Sequence, residues 1–274
     1  AALHWLTAGV LAAAAGVAQA GEAPNIVHIM VDDLGYGELG SYGQELIRTP
    51  NLDGLAEQGL RFTQYYSGSA ACSQSRWAYF SGLHSGTSGV TSNNYNMLPR
   101  ALPIIPELLK QAGYRTGFFG KWVLGTFNST GYPIRKGFDE FFGYRDQGDA
   151  HNYYPEHLYH DFQPVRLLGN HGSVHKSVAR TRQTYALAEI VRRANRFMAN
   201  SAGFPFLLEL HLNLPHLNSG LFELTGDGTE FPGGSRYSGE SWSDLDKGYA
   251  EMVSLADDYV GQVVATLEIG RAHV

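Results

Sequence analysis

Ile26-Val27-His28-Ile29-Met30-Val31 is a nearly continuous apolar run, rich in β-branched residues, that ends at once in Asp32-Asp33-Leu34-Gly35. A half-exposed strand would alternate apolar and polar residues, so this pattern predicts a strand buried on both faces of a parallel sheet. Parallel strands need long crossover connections, usually helices, and the run therefore commits the chain to an α/β fold. Carboxylates placed where such a strand stops lie at the carboxyl edge of the sheet, where open α/β sheets bind their ligands.

The remaining pattern agrees. Pro50 and Gly59 bracket a predicted helix over Asn51–Gln58, and Ile104–Gln111 reads as another, closed by Gly113. Tyr114–Phe119 predicts a strand running into Gly120-Lys121-Trp122. Residues 127–182 are dense in Gly, His, Tyr and Pro without a sustained period and read as long, ordered loops. Thr184–Asn200 returns to helical spacing through Leu187, Ile190, Val191, Ala194 and Met198, and Phe206–Leu212 is a second buried strand, leading to Pro215-His216. Asn218–Ser243 reads as a Gly- and Ser-rich loop, and Tyr249, Met252, Val253, Ala256, Val260, Val264 and Leu267 mark one face of a last helix. The expected architecture is a three-layer α/β/α sandwich with a mostly parallel central sheet. The chain stops without the strand that its last helix would feed, so the domain, over residues 24–267, reads as truncated at its C-terminus and 268–274 as a non-native tail.

The 274 residues are 43% hydrophobic with a formal net charge of -6, the composition of a globular domain. Their 20 basic residues are scattered, which argues against nucleic acid as a partner. Leu3–Ala20 is an Ala-rich apolar stretch ending in the small-x-small pattern Ala18-Gln19-Ala20, so residues 1–20 read as a cleaved signal peptide. The expected location is periplasmic or secreted, with no membrane span left after cleavage. Cys72 is the only cysteine and has no internal disulfide partner, which leaves its thiol free to react or to be modified.

Four polar features fall at predicted strand ends or helix starts: Asp32-Asp33, the run Cys72-Ser73-Gln74-Ser75-Arg76, Lys121 and His216. Each alone has a bland reading as a turn, a small buried hydrophobe, a surface cation or a loop. Together they make a site for a charged oxyanion ester, because carboxylate oxygens suit Ca²⁺ or Mg²⁺, Arg and Lys neutralise substrate oxygens, and His can act as an acid. Cys72 is expected at the amino end of a helix over Ser75–Ser81, within reach of the other three features. His151, His157 and His160 lack the matched spacing of a transition-metal site and read as loop or cleft residues.

On these residues the chain resembles the formylglycine-dependent, arylsulfatase-like sulfatases of the alkaline-phosphatase-like superfamily. Asn25-Ile26-Val27 through Asp32-Asp33-Leu34-Gly35-Tyr36-Gly37 is similar to their first strand and metal-binding pair, and Thr49-Pro50-Asn51-Leu52 to the next segment. Gly113-Tyr114-Arg115-Thr116 through Gly120-Lys121-Trp122 resembles the lysine motif, and Gly137–Tyr144 and His151–Pro155 are also similar. The resemblance implies hydrolysis of sulfate monoesters, small or polysaccharide, by a nucleophile made when a formylglycine-generating enzyme oxidises Cys72. It implies that Arg76 holds the nucleophile, that Lys121 and His216 contact the sulfate, and that Asp32, Asp33 and modified Cys72 ligate Ca²⁺, or Mg²⁺. The family's later Asp-Asn segment would lie downstream. Gln74 stands where the signature has proline and Val123 where the lysine motif has histidine. A phosphate or phosphonate ester hydrolase and a catalytically impaired binding protein remain as alternatives.

Overall fold

The computed structural model describes residues 23–93, 96–175 and 177–272. The expected signal segment lies outside them, as do residues 273–274 of the expected tail.

In chain order the elements are β1 (Ile26–Asp32), α1 (Pro50–Gln58), α2 (Cys72–Ser81), α3 (Ser85–Ser88), α4 (Ile105–Gln111), β2 (Arg115–Gly120), β3 (Glu140–Gly143), β4 (His157–His160), β5 (Gln163–Arg166), β6 (His171–His175), β7 (Val178–Thr181), α5 (Ala186–Asn200), β8 (Phe206–Pro215), α6 (Ser219–Thr225) and α7 (Asp244–Ala272). Six strands form one sheet in the order β1-β8-β2-β3-β4-β5. The first four are mutually parallel, and β4 and β5 extend that edge antiparallel. The β6–β7 pair is a separate hairpin.

Side chains alternate across a strand, and β8 shows the consequence because it is buried along its whole length. Phe206, Leu208, Leu210, Leu212 and Leu214 face a core shared with Leu187, Ile190, Val191, Ala194 and Phe197 of α5 and Met252, Ala256, Tyr259 and Val263 of α7. Leu207 faces the opposite core, with Trp77 and Phe80 of α2 and Phe118, Trp122, Phe138 and Phe141. Helices thus cover both faces, giving the expected three layers. Each fully buried Phe or Leu contributes about 1.5–3 kcal/mol.

Two loop readings are corrected. Residues 127–182 hold β3 to β7, strands of four or five residues each, too short for a period of two to register in the sequence. Asn218–Ser243 contains α6, whose Asn218 side chain accepts from the backbone N–H groups of Gly220 and Leu221 and whose C-cap Gly226 is left-handed at φ 77°. β8 also runs three residues beyond the expected Leu212, to Pro215.

Candidate active site

Three adjacent parallel strands, β1, β8 and β2, end side by side, and each delivers one of the expected residues at its carboxyl end. β1 ends in Asp32, Lys121 follows β2, and His216 follows β8. The β1–β8 register slips between Val31 and Asp32, which re-aims the carboxylate at the point where pairing stops. Gly120 makes the exit from β2 feasible: it has φ 111°, and a Cβ there would lie 2.0 Å from the His211 carbonyl oxygen.

The fourth feature comes from α2. Cys72 is its first residue, half-buried, and Arg76 lies one turn on, along the same face. Cys72 Sγ is 3.3 Å from Gln147 Nε2 and 3.5 Å from Asn93, whose Oδ1 also accepts from the Ser73 N–H at 3.0 Å. The helix begins earlier than the expected Ser75. Cys72, Arg76, Asp32 and Asp33 line one cavity of about 740 Å³, with Tyr65, Tyr79 and His84 on its walls.

Asp32, Arg76 and Lys121 form a nearly sealed ion cluster, exposed by 5%, 1% and 0%. Asp32 accepts from Arg76 Nη2 at 3.1 Å and from Lys121 Nζ at 2.5 Å. Burial alone would raise the Asp32 carboxyl, but the two cations outweigh it and hold it well below the usual carboxylate range. Asp33 is mostly exposed, left-handed at φ 62°, and its carboxylate lies 3.6 Å from His216 Nε2. His216 Nδ1 donates to the Leu217 carbonyl at 2.7 Å, which leaves Nε2 as the ring's free nitrogen toward Asp33. His151 packs on His216 with ring centroids 4.5 Å apart, and burial, with Lys121 and His216 nearby, lowers it to about 4. It ends a single 3-10 turn, Asp149–His151. His157 is exposed on β4 and His160 pairs with Glu140 at 3.4 Å, so the three histidines do not converge.

Sequence reading missed a second buried group beside the first. Arg76 Nη1 lies 2.6 Å from His211 Nδ1, and His211 Nε2 lies 3.0 Å from Glu209 Oε2. Burial would raise Glu209, but its contacts with His211 and His28 lower it to about 2. The signal was there: Glu209 and His211 are two residues apart in a strand read as buried on both faces, so they share one face, and His28 interrupts the other such strand.

Residues 24–272 match the profile of the family described as Sulfatase. The chain belongs to the sulfatase family. It is 43% identical over 135 residues to arylsulfatase D of Homo sapiens, a match covering 44% of this chain and 23% of that protein. It is 40% identical over 156 residues to N-acetylgalactosamine-6-sulfatase of Sus scrofa, covering 52% and 30%. Among solved structures it is similar to Ps i-CgsB, with a TM-score of 0.70 and 27% identity over 90% of this chain and 55% of that one. The chain thus spans only part of the relatives it matches.

The donor set suits the hard divalent cation of the sulfatase family. Asp32 and Asp33 offer adjacent carboxylates beside Cys72 in one cavity, and the oxygens of Asp32 are now held by the two cations. Arg76 Nε is a buried donor with no acceptor among the described residues. Both departures from the family pattern sit close by. Gln74 is buried in the first turn of α2, and its Oε1 has no partner among the described residues. Val123, left-handed at φ 59°, lines a cavity of about 260 Å³ together with Asn93 and Gln147, the two residues against Cys72 Sγ.

Proposed function

We propose that the protein carrying this chain hydrolyses sulfate monoesters. The observation that supports this best is the grouping of Cys72, Arg76, Asp32 and Asp33 around one cavity, with Lys121 on Asp32 and His216 beside Asp33, in a chain of the sulfatase family. Asp32, Asp33 and the modified Cys72 would hold Ca²⁺ or Mg²⁺, which when bound polarises sulfate oxygens. Formylglycine made from Cys72 would supply the nucleophilic hydroxyl, so that hydrolysis is split into two easier steps.

The chain's own residues account for the rest. Arg76 is immobilised by three acceptors and keeps Nε as a donor for the nucleophile's oxygens. Lys121 balances charge on a sulfate oxygen from a site that excludes water, where a cation acts more strongly than in solution. His216 presents Nε2 toward the leaving alcohol for proton transfer, its ring fixed by the Leu217 carbonyl. The names of the relatives point to both substrate classes: arylsulfatase D on one side, N-acetylgalactosamine-6-sulfatase and Ps i-CgsB in complex with k-i-k-neocarrahexaose on the other. The reading brings with it a formylglycine-generating enzyme as partner and a periplasmic or secreted location. Among the described residues no helix is long and apolar enough to cross a membrane.

The test is co-expression with a formylglycine-generating enzyme. The peptide containing Cys72 should show aldehyde conversion by mass spectrometry, and sulfate esters should be cleaved faster than matched phosphate esters. Cys72→Ala should abolish turnover. A Cys72→Ala variant as active as the parent overturns the reading, faster phosphate cleavage favours a phosphate ester hydrolase, and a converted enzyme that binds without turnover favours an impaired binding protein.

A further inference from the structure

Arg76 is held by more than the groups that would meet a substrate. Its Nη1 donates to the Lys121 carbonyl at 2.7 Å and meets His211 Nδ1 at 2.6 Å. A guanidinium carries donors and no acceptor, so His211 Nδ1 must present its lone pair. The ring proton of the neutral imidazole then sits on Nε2 and is donated to Glu209 Oε2 at 3.0 Å. The same oxygen accepts from His28 Nδ1 at 2.6 Å, and Glu209 Oε1 accepts from the Tyr79 hydroxyl at 3.0 Å. Each of these contacts pairs a donor with an acceptor, and the direction is fixed from the arginine end.

Strand geometry builds this arrangement. Parallel register sets His28 of β1 beside Glu209 of β8, and Glu209 and His211 share the face of β8 that meets α2. Aromatic rings hold the imidazole, with Phe118 4.5 Å and Phe80 5.8 Å from its centroid, while Tyr79 stacks on His28 at 4.4 Å. Charge points the same way. Among the described residues Arg76 and Lys121 are two sealed cations sharing the single carboxylate of Asp32, and Glu209, 1% exposed, is the buried carboxylate that balances them. A lone uncompensated charge at this depth is strongly unfavourable.

A metal would be the other use of the cluster, since ligand atoms of His28, Glu209 and His211 lie within 4.8 Å of one another. A cation on His211 Nε2 would move the ring proton to Nδ1, directly against the Arg76 donor 2.6 Å away. The arginine contact therefore excludes that occupancy.

The geometry points to Glu209 as the positioning residue of Arg76, acting through the Nε2-protonated imidazole of His211, with His28 and Tyr79 fixing the carboxylate. The inference rests on the role proposed above for Arg76. The first readout is independent of turnover: in the chain labelled with ¹⁵N-histidine, His211 should show a protonated Nε2 and a bare Nδ1 at neutral pH. A protonated Nδ1 overturns the inference. Adding zinc chloride should leave the ring nitrogens of His28 and His211 unmoved, and zinc-dependent shifts of both would overturn it in favour of a metal site. In the active protein, Glu209→Leu should lower kcat by about 100-fold with KM little changed, the scale of a misplaced catalytic group. Glu209→Gln keeps an acceptor for His211 and should recover most of that loss. A Leu variant as active as the parent, or a Gln variant as impaired as Leu, overturns the inference. Should the Leu variant fail to fold, the tautomer in the parent and in the Gln variant decides. A chain without sulfatase activity that shows the expected tautomer fails the functional reading and not this one.

Discussion

Replacing Asp32 with Asn leaves the shape of the strand end intact and removes the one carboxylate, among the described residues, that directly touches both Arg76 and Lys121. Both cations are sealed from water, so neither can regain hydration without opening the sheet edge. Breaking a buried ion pair by removing one partner costs about 3–5 kcal/mol, and the cost here falls on two cations at once. For a domain of this size each kcal/mol moves the midpoint by about 2–4 °C, so Asp32→Asn should melt about 10 °C lower. Urea unfolding with a chelator present gives the free energy without a contribution from bound metal. The pairing itself is tested by adding Lys121→Met, which removes one of the two stranded charges and leaves Arg76 with Glu209 as its balance. The double variant should recover about 2 kcal/mol relative to additivity, within the range of coupled neighbours. A loss below about 1 kcal/mol in Asp32→Asn, or strict additivity in the double variant, would refute the electrostatic account of the cluster.

Gln74→Pro should leave stability within about 1 kcal/mol of the parent in urea unfolding, because a first-turn N–H lacks an intrahelical acceptor and the lost Oε1 has no partner among the described residues; a loss near 3 kcal/mol would show that the N–H is needed. Val123→Asn should raise stability by about 1 kcal/mol, since a β-branched residue is strained at φ 59° and Asn is not, and calorimetry showing no gain would count against that strain. Burial, with the nearby cations, lowers both His151 and His211 from an ordinary 6.5 to about 4. The unfolded chain takes up their protons first, so stability should be full above pH 6.5 and fall between about 6.5 and 4, by on the order of 3 kcal/mol for His211. A flat urea midpoint across that window, or a slope unchanged by His151→Asn, would contradict this.

The parallel core was legible because its strands β1 and β8 carry nearly continuous apolar runs, and the site was legible because its residues fall where those runs stop. What escaped reading was set by neighbours rather than by period. The four- and five-residue strands between Glu140 and Thr181 are defined by pairing with sequence-distant partners, and their Gly, His and Tyr residues carry little intrinsic preference. Glu209 and His211 were hidden because an apolar strand was read as a whole, and their purpose emerges only when β1 and α2 bring His28, Tyr79 and Arg76 to them. Asn93 and Gln147, now against Cys72, come from loops without a motif.

The order of the sheet also has a timetable written into it. β8 lies between β1 and β2 yet is the last of the three to be made, more than a hundred positions after Cys72. At about 5–20 residues per second, synthesis leaves an interval of roughly ten seconds in which the cysteine has emerged and the strand that completes its surroundings has not. During that interval His211 and His216 do not exist to hold Arg76 or to face Asp33, and an enzyme that must grip the Cys72 segment would meet an open chain. Stalled chains ending before Phe206 should therefore be modified faster than the finished fold, and equal rates would refute this. If Cys72 is modified as proposed, the strand in the middle closes over its segment only after that window.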